Sequence, residues 1–150
     1  MRILELPSDA DTRTLGARLA GLLRRGDVIA LSGDLGAGKT TLARGLIQAL
    51  RGLEEEVPSP TYTLVQLYEG PDFPLWHFDL YRLEEPDDVH ELGWDETQDG
   101  VALIEWPDRA GRHLPAHRLD VFLENSGDGR RARLEPQGEG WQERLDERLG

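Results

Sequence analysis

Hydrophobic positions recur with two different periods along this chain, and the periods mark its elements. Between Thr12 and Arg24, Leu15, Leu19, Leu22 and Leu23 fall at helical spacing, with Ser8 or Asp9 available as a cap and Gly26 closing the pattern. Asp27–Ser32 is instead a continuous apolar run of strand length, the kind buried on both faces of a parallel sheet. Helical spacing returns over Thr40–Leu50, where Leu42, Leu46, Ala49 and Leu50 share one side and Gly52 stops the pattern. Strands are predicted over Thr63–Tyr68, Leu75–Asp79 and Val101–Glu105, with a short helix over Pro86–Glu91 whose proline and acids suit a first turn. Leu119–Leu123 and Arg131–Leu134 alternate, or nearly so, about the turn Asn125–Gly129, which predicts a closing hairpin, and Trp141–Leu149 reads as a final amphipathic helix. No repeat and no linker rich in Gly, Ser or Pro interrupts this order, so one α/β domain over residues 1–150 is expected.

The junction between the buried strand and the second helix carries the first chemistry. Gly33-Asp34-Leu35-Gly36-Ala37-Gly38-Lys39-Thr40 satisfies the Walker A pattern, and a strand before it with a helix after it is the context such a match requires. Backbone N–H groups must converge on phosphate oxygens there, so glycine is needed where a Cβ would clash or φ is positive: Gly33, Gly36 and Gly38. Lys39 is expected on the β and γ phosphates, and the Thr40 hydroxyl on Mg2+. The expected architecture is a three-layer, P-loop NTPase-like α/β fold: a mostly parallel sheet flanked by helices, with a C-terminal antiparallel hairpin. The expected ligands are ATP and Mg2+.

A site of this class also needs an acid at the end of a neighbouring strand, to hold the metal or orient water. Two candidates compete. Glu105 ends the apolar run Val101–Ile104, and Asp79 ends His77-Phe78-Asp79, where His77, Asp79 and Tyr81 share one face if the segment is extended. Ser59-Pro60-Thr61 lies where a switch segment could fold over a γ-phosphate, its backbone narrowed by Pro58 and Pro60.

Charge changes the picture by exclusion. The formal net charge is −12, and the acids concentrate in the middle: residues 51–100 carry fourteen acids against two bases. Binding a phosphate backbone needs Lys and Arg gathered on one face, so direct nucleic-acid binding by this chain alone is disfavoured. Of the seventeen bases sixteen are arginine, and the single lysine is Lys39, a compact point charge kept where phosphate is expected. There is no cysteine, hence no disulfide and no thiolate metal site. Met1–Pro7 is too short for a signal-peptide apolar region, and no run approaches the roughly 20 apolar residues that span a bilayer, so a cytoplasmic protein is expected.

Four blocks, Gly33–Thr41, Ser59–Val65, His77-Phe78-Asp79-Leu80-Tyr81-Arg82 and Leu103-Ile104-Glu105-Trp106-Pro107, closely resemble the bacterial TsaE (YjeE) family in order and wording. The resemblance runs from about Thr12 to Pro107 and is looser beyond. It implies an ATPase that serves threonylcarbamoyladenosine formation in tRNA, joining the transferase subunits TsaD and TsaB and resetting them between turnovers, with tRNA met only through that complex. Carried over, the nucleotide loop is Gly36, Ala37, Gly38, Lys39, Thr40 and Thr41, the Mg2+ ligands are Thr40 and Glu105, and Asp79 and Trp106 match signature positions. Ser59–Thr61 then resembles a switch segment, Asp9 belongs to a short N-terminal match near the nucleotide, and Arg130 to a late Gly-Arg match. The mechanism expected takes Lys39, Asp79, Glu105 and Thr61 as the catalytic set, with Asp79 or Thr61 ordering the attacking water.

Two other readings compete. In a small-molecule kinase, Arg109 and Arg112 would clamp a phosphate from a lid; in a non-catalytic ATP-gated module, ATP would only order a docking face. The acidic run Glu84–Glu91 reads equally as a solvated face or a docking surface. His113 and His117 have metal-ligand spacing, but Pro115 breaks the helix that would bring them together.

Overall fold

The computed structural model describes residues 1–34 and 36–149, so Leu35 of the glycine loop and Gly150 lie outside the described residues. Seven strands form one sheet: β1 (Arg2–Leu6), β2 (Val28–Ser32), β3 (Val65–Glu69), β4 (Pro74–Asp79), β5 (Val101–Glu105), β6 (Arg118–Ser126) and β7 (Gly129–Gln137), in the spatial order β1-β7-β6-β2-β5-β4-β3. The central four, β6, β2, β5 and β4, run parallel, and antiparallel pairs close both edges. This is the expected α/β architecture. The C-terminal hairpin is no appendage, because β6 lies directly beside the buried β2.

Three helices, α1 (Asp9–Ala20), α2 (Lys39–Arg51) and α3 (Trp141–Leu149), pack on one face. There Leu15 and Leu19 of α1, Leu42 and Leu46 of α2, and Trp141 and Leu145 of α3 meet the inward residues Ile29, Leu31, Leu103 and Val121 of the sheet. The opposite face of β4 and β5 carries Trp76, Phe78 and Ile104, covered by short 3-10 segments at Pro86–Leu92, Trp94–Asp99 and Pro107–His113 that supply Val89, Trp94 and Ala110. The period-2 alternation of β4 and β5 thus feeds two separate cores.

Helix α1 starts three residues before the predicted Thr12. Ser8 and Asp11 form a capping box in which the Asp11 N–H donates to Ser8 Oγ and the Ser8 N–H donates to Asp11 Oδ2 at 3.0 Å. It ends at Gly21, and Leu22 and Leu23 stay buried in tight turns after it. Strand β3 starts two residues later than predicted, because Leu64 turns the chain with φ 67° while its N–H donates to the Pro60 carbonyl. The predicted helix at Pro86–Glu91 is a 3-10 segment.

Candidate functional site

Strand β2 ends at Ser32 and the chain turns at once into the glycine loop, which has positive φ at Gly33 (147°), Gly36 (81°) and Gly38 (101°). Glycine is required at Gly33 by approach as well as by φ, and at Gly38 by φ, since the Arg130 side chain beside it can move. A Cβ at Gly33 would run into the Leu123 carbonyl of β6, and one at Gly38 would stand 2.8 Å from the Arg130 side chain. Gly38 is also the N-cap of α2, and no side chain among the described residues caps that first turn. The uncapped N–H groups and the positive end of the helix dipole make this an anion-binding end.

A cavity of about 360 Å³ opens over the loop. It is lined by Gly36, Gly38, Lys39, Thr40 and Thr41 of the loop and the start of α2, by Asp79 and Glu105 at the ends of β4 and β5 with Trp106, by Ser59 and Thr61 from the loop before β3, and by Arg130 of β7. All eleven of these lining residues were singled out in the sequence: Gly36, Gly38, Lys39, Thr40, Thr41, Ser59, Thr61, Asp79, Glu105, Trp106 and Arg130. Ala37 does not line the cavity; it is buried in the helix-side core. Gly33 shapes the turn from beneath. Asp9 is exposed and lines a smaller neighbouring cavity of about 110 Å³ rather than the main one, held there by an ion pair with Arg130 at 2.6 Å.

The carboxylates lie side by side, since parallel pairing of β4 with β5 sets Asp79 opposite Glu105. Each has its own anchor. Asp79 Oδ2 accepts from Ser59 Oγ at 3.2 Å and Thr61 Oγ1 at 3.3 Å, and its Oδ1 accepts from the Tyr81 N–H at 3.1 Å. Glu105 Oε2 meets Nε2 of the fully buried His77 at 2.7 Å. His77 is the site residue to which sequence reasoning gave no role. Its alternation with Asp79 placed it on the polar face, but its partner depends on a strand pairing that local sequence does not contain.

Lys39 is buried, and its ammonium donates to the carbonyls of Gly33 and Asp34, the latter at 3.0 Å, beneath the Trp106 ring at 4.2 Å from the centroid. Burial lowers its pKa, opposed by the nearby Glu105, Asp79 and Asp34 carboxylates. Trp106 itself has φ 59° and ψ 54°, an uncommon conformation for a bulky residue, and packs against Tyr81 with ring centroids 5.0 Å apart. Arg109 and Arg112 do not line the cavity, and Arg112 instead pairs with Asp87 at 2.6 Å. His113 and His117 have separate partners, Asp87 and the Glu139 carbonyl.

A parallel-centred sheet whose middle strand runs through a glycine loop into an uncapped helix defines a P-loop NTPase-like protein. Its family is narrower: the model of the threonylcarbamoyl adenosine biosynthesis protein TsaE matches residues 6–133, and the chain belongs to the TsaE family. It is 39% identical over 123 residues to the tRNA threonylcarbamoyladenosine biosynthesis protein TsaE of Bacillus subtilis, covering 81% of this chain and 76% of that protein. To the protein of the same name from Haemophilus influenzae it is 35% identical over 136 residues, covering 86% and 85%. A crystal structure of Bacillus subtilis YdiB matches with a TM-score of 0.83 at 30% identity, over 99% of this chain and 93% of that one. No helix among the described residues is long and apolar enough to cross a membrane.

Proposed function

We propose that this chain is a Mg2+-dependent ATP hydrolase that acts as an accessory switch for the threonylcarbamoyl transferase complex, with TsaD and TsaB as its partners in the cytoplasm. The observation that carries the reading is the convergence of Lys39, Thr40 and the Asp79–Glu105 pair on one cavity above an uncapped helix end. The cavity is of the size that accommodates small ligands, and the glycine loop allows close backbone approach by phosphates. The donor set fits Mg2+, a hard cation that takes oxygen ligands: the Thr40 hydroxyl and the Glu105 carboxylate both line the cavity.

Thr40 and Glu105 would hold the metal, which when bound supplies charge neutralisation at the β and γ oxygens. Lys39 exchanges the Gly33 and Asp34 carbonyls for phosphate oxygens, trading neutral acceptors for anionic ones. Asp79, already tied to Thr61 and Ser59, orients the attacking water and couples that step to the Ser59–Thr61 segment. Arg130, joined to Asp9, closes the nucleotide side. The kinase reading receives no support from Arg109 and Arg112, which stand outside the cavity.

The test is ATP hydrolysis by the purified chain alone, then with TsaB, TsaD and tRNA, using Lys39→Ala as control. Slow turnover that rises with the partners and falls to background in the variant is expected. Hydrolysis unchanged in Lys39→Ala would overturn the site. Support of the complex by a non-hydrolysable ATP analogue alone would replace the hydrolase with a gated binding module.

A further inference from the structure

We propose that His77 is a positioning residue for Glu105: its Nε2–H fixes one carboxylate oxygen so that the other is presented to Mg2+. The inference rests on the reading above that Glu105 holds the metal. His77 and Glu105 sit on adjacent parallel strands, two register steps apart on the same face, with His77 opposite Leu103 and Asp79 opposite Glu105. The contact is 2.7 Å, the length of a charge-assisted hydrogen bond, and both side chains are almost wholly shielded from water, at 0% and 3% exposure. An ionised carboxylate only accepts, so the imidazole donates from Nε2.

The other ring nitrogen supplies the second observation. His77 Nδ1 is buried without a hydrogen-bond partner among the described residues. Burying an unpartnered polar atom is unfavourable, and the neighbouring positions on the same face, Leu75 of β4 and Leu103 of β5, are apolar and fully buried. Packing alone would therefore favour leucine or phenylalanine at position 77. What a histidine adds is one N–H aimed at Oε2 of the acid whose carboxylate reaches the cavity. With Oε2 held, the freedom of the carboxylate to rotate is reduced and Oε1 remains for a ligand. Hydrogen-bonded partners of this kind orient metal ligands, and their loss typically weakens metal affinity by about 10–100-fold.

The experiment measures binding, not turnover. A fluorescent ATP analogue is titrated into the full chain across a Mg2+ series and in EDTA, with circular dichroism as the check on folding. His77→Leu is expected to raise the half-saturating Mg2+ concentration about 10–100-fold and to leave binding in EDTA unchanged. In His77→Gln the side-chain amide can donate from near the Nε2 position, so most of the loss is expected to be recovered. Should His77→Leu not fold, His77→Phe, which keeps a ring and removes the donor, carries the same expectation. A wild-type Mg2+ requirement in the donor-free variant, an equal loss in EDTA, or a Gln variant as impaired as the donor-free one would each overturn the proposal. Glu105→Gln separates it from its parent: if that variant keeps the wild-type Mg2+ requirement, the metal reading itself falls. If Glu105→Gln shifts the requirement and His77→Leu does not, only the role of His77 falls.

Discussion

The two faces of the sheet are covered by different kinds of structure. On one side α1 and α2 approach so closely that a Cβ on Gly16 would run into the Leu42 carbonyl, and one on Gly45 into the Arg13 carbonyl. On the other, 3-10 segments lie over Phe78 and Ile104, joined to one another by surface contacts such as Asp87 with Arg112 and His113. The first face carries the glycine-loop end of the site on the N-terminus of α2, and the second carries Trp106, which reaches over Lys39 from the start of a 3-10 segment. Backbone-to-backbone packing fixes the loop that must hold its shape, while short turns carry the residue that covers it.

That contrast can be broken from either side. Gly16→Val forces α1 away from α2, and overpacking of this kind costs about 3 kcal/mol, which for a chain of this size lowers Tm by roughly 6–12 °C. The stabilisation by ATP should vanish with it, and thermal melts with and without nucleotide measure both. Val89→Ala on the other face removes two fully buried carbons, a loss of about 1.5 kcal/mol at about 0.8 kcal/mol each. There the shift produced by ATP should persist. The smallest effect is expected from Asp87→Asn. Its hydrogen bond with His113, helped by Arg112, holds the Asp87 carboxyl below its ordinary value, so the folded state favours the ionised form. The contribution is present at neutral pH and is lost as pH falls through that lowered value. Urea melts of both chains should differ slightly at pH 7, and the difference should begin to shrink only as pH falls below about 4.

How much of this was legible in the sequence depended on the range of the interaction. Val101–Glu105 announced itself because four apolar residues ending in an acid describe a strand buried on both faces, and it runs over those residues. The glycine loop was legible because its chemistry is local. Arg2–Leu6 went unread because its polar and apolar residues do not alternate: Arg2 shares the inner side with Leu4 and Leu6 while Ile3 is exposed beside Glu5, and only pairing with β7 makes a strand. The Pro107–His113 segment was missed for a local reason, a break at Gly111 with φ 55° and ψ −126° that interrupts any regular period. In the site, each carboxylate could be named from its strand end. Their adjacency, and the contact between His77 and Glu105, came only from the pairing of β4 with β5, a contact between residues 28 positions apart.

Because Lys39 is the single lysine in the chain, the loop also has a chemical address. An amine-acylating reagent can modify only one side chain here, apart from the terminal amine, and burial has already made that amine less basic than a surface lysine. Whether the loop is covered, open or filled becomes a question of mass: one acyl group gained beyond that on the terminal amine, or withheld.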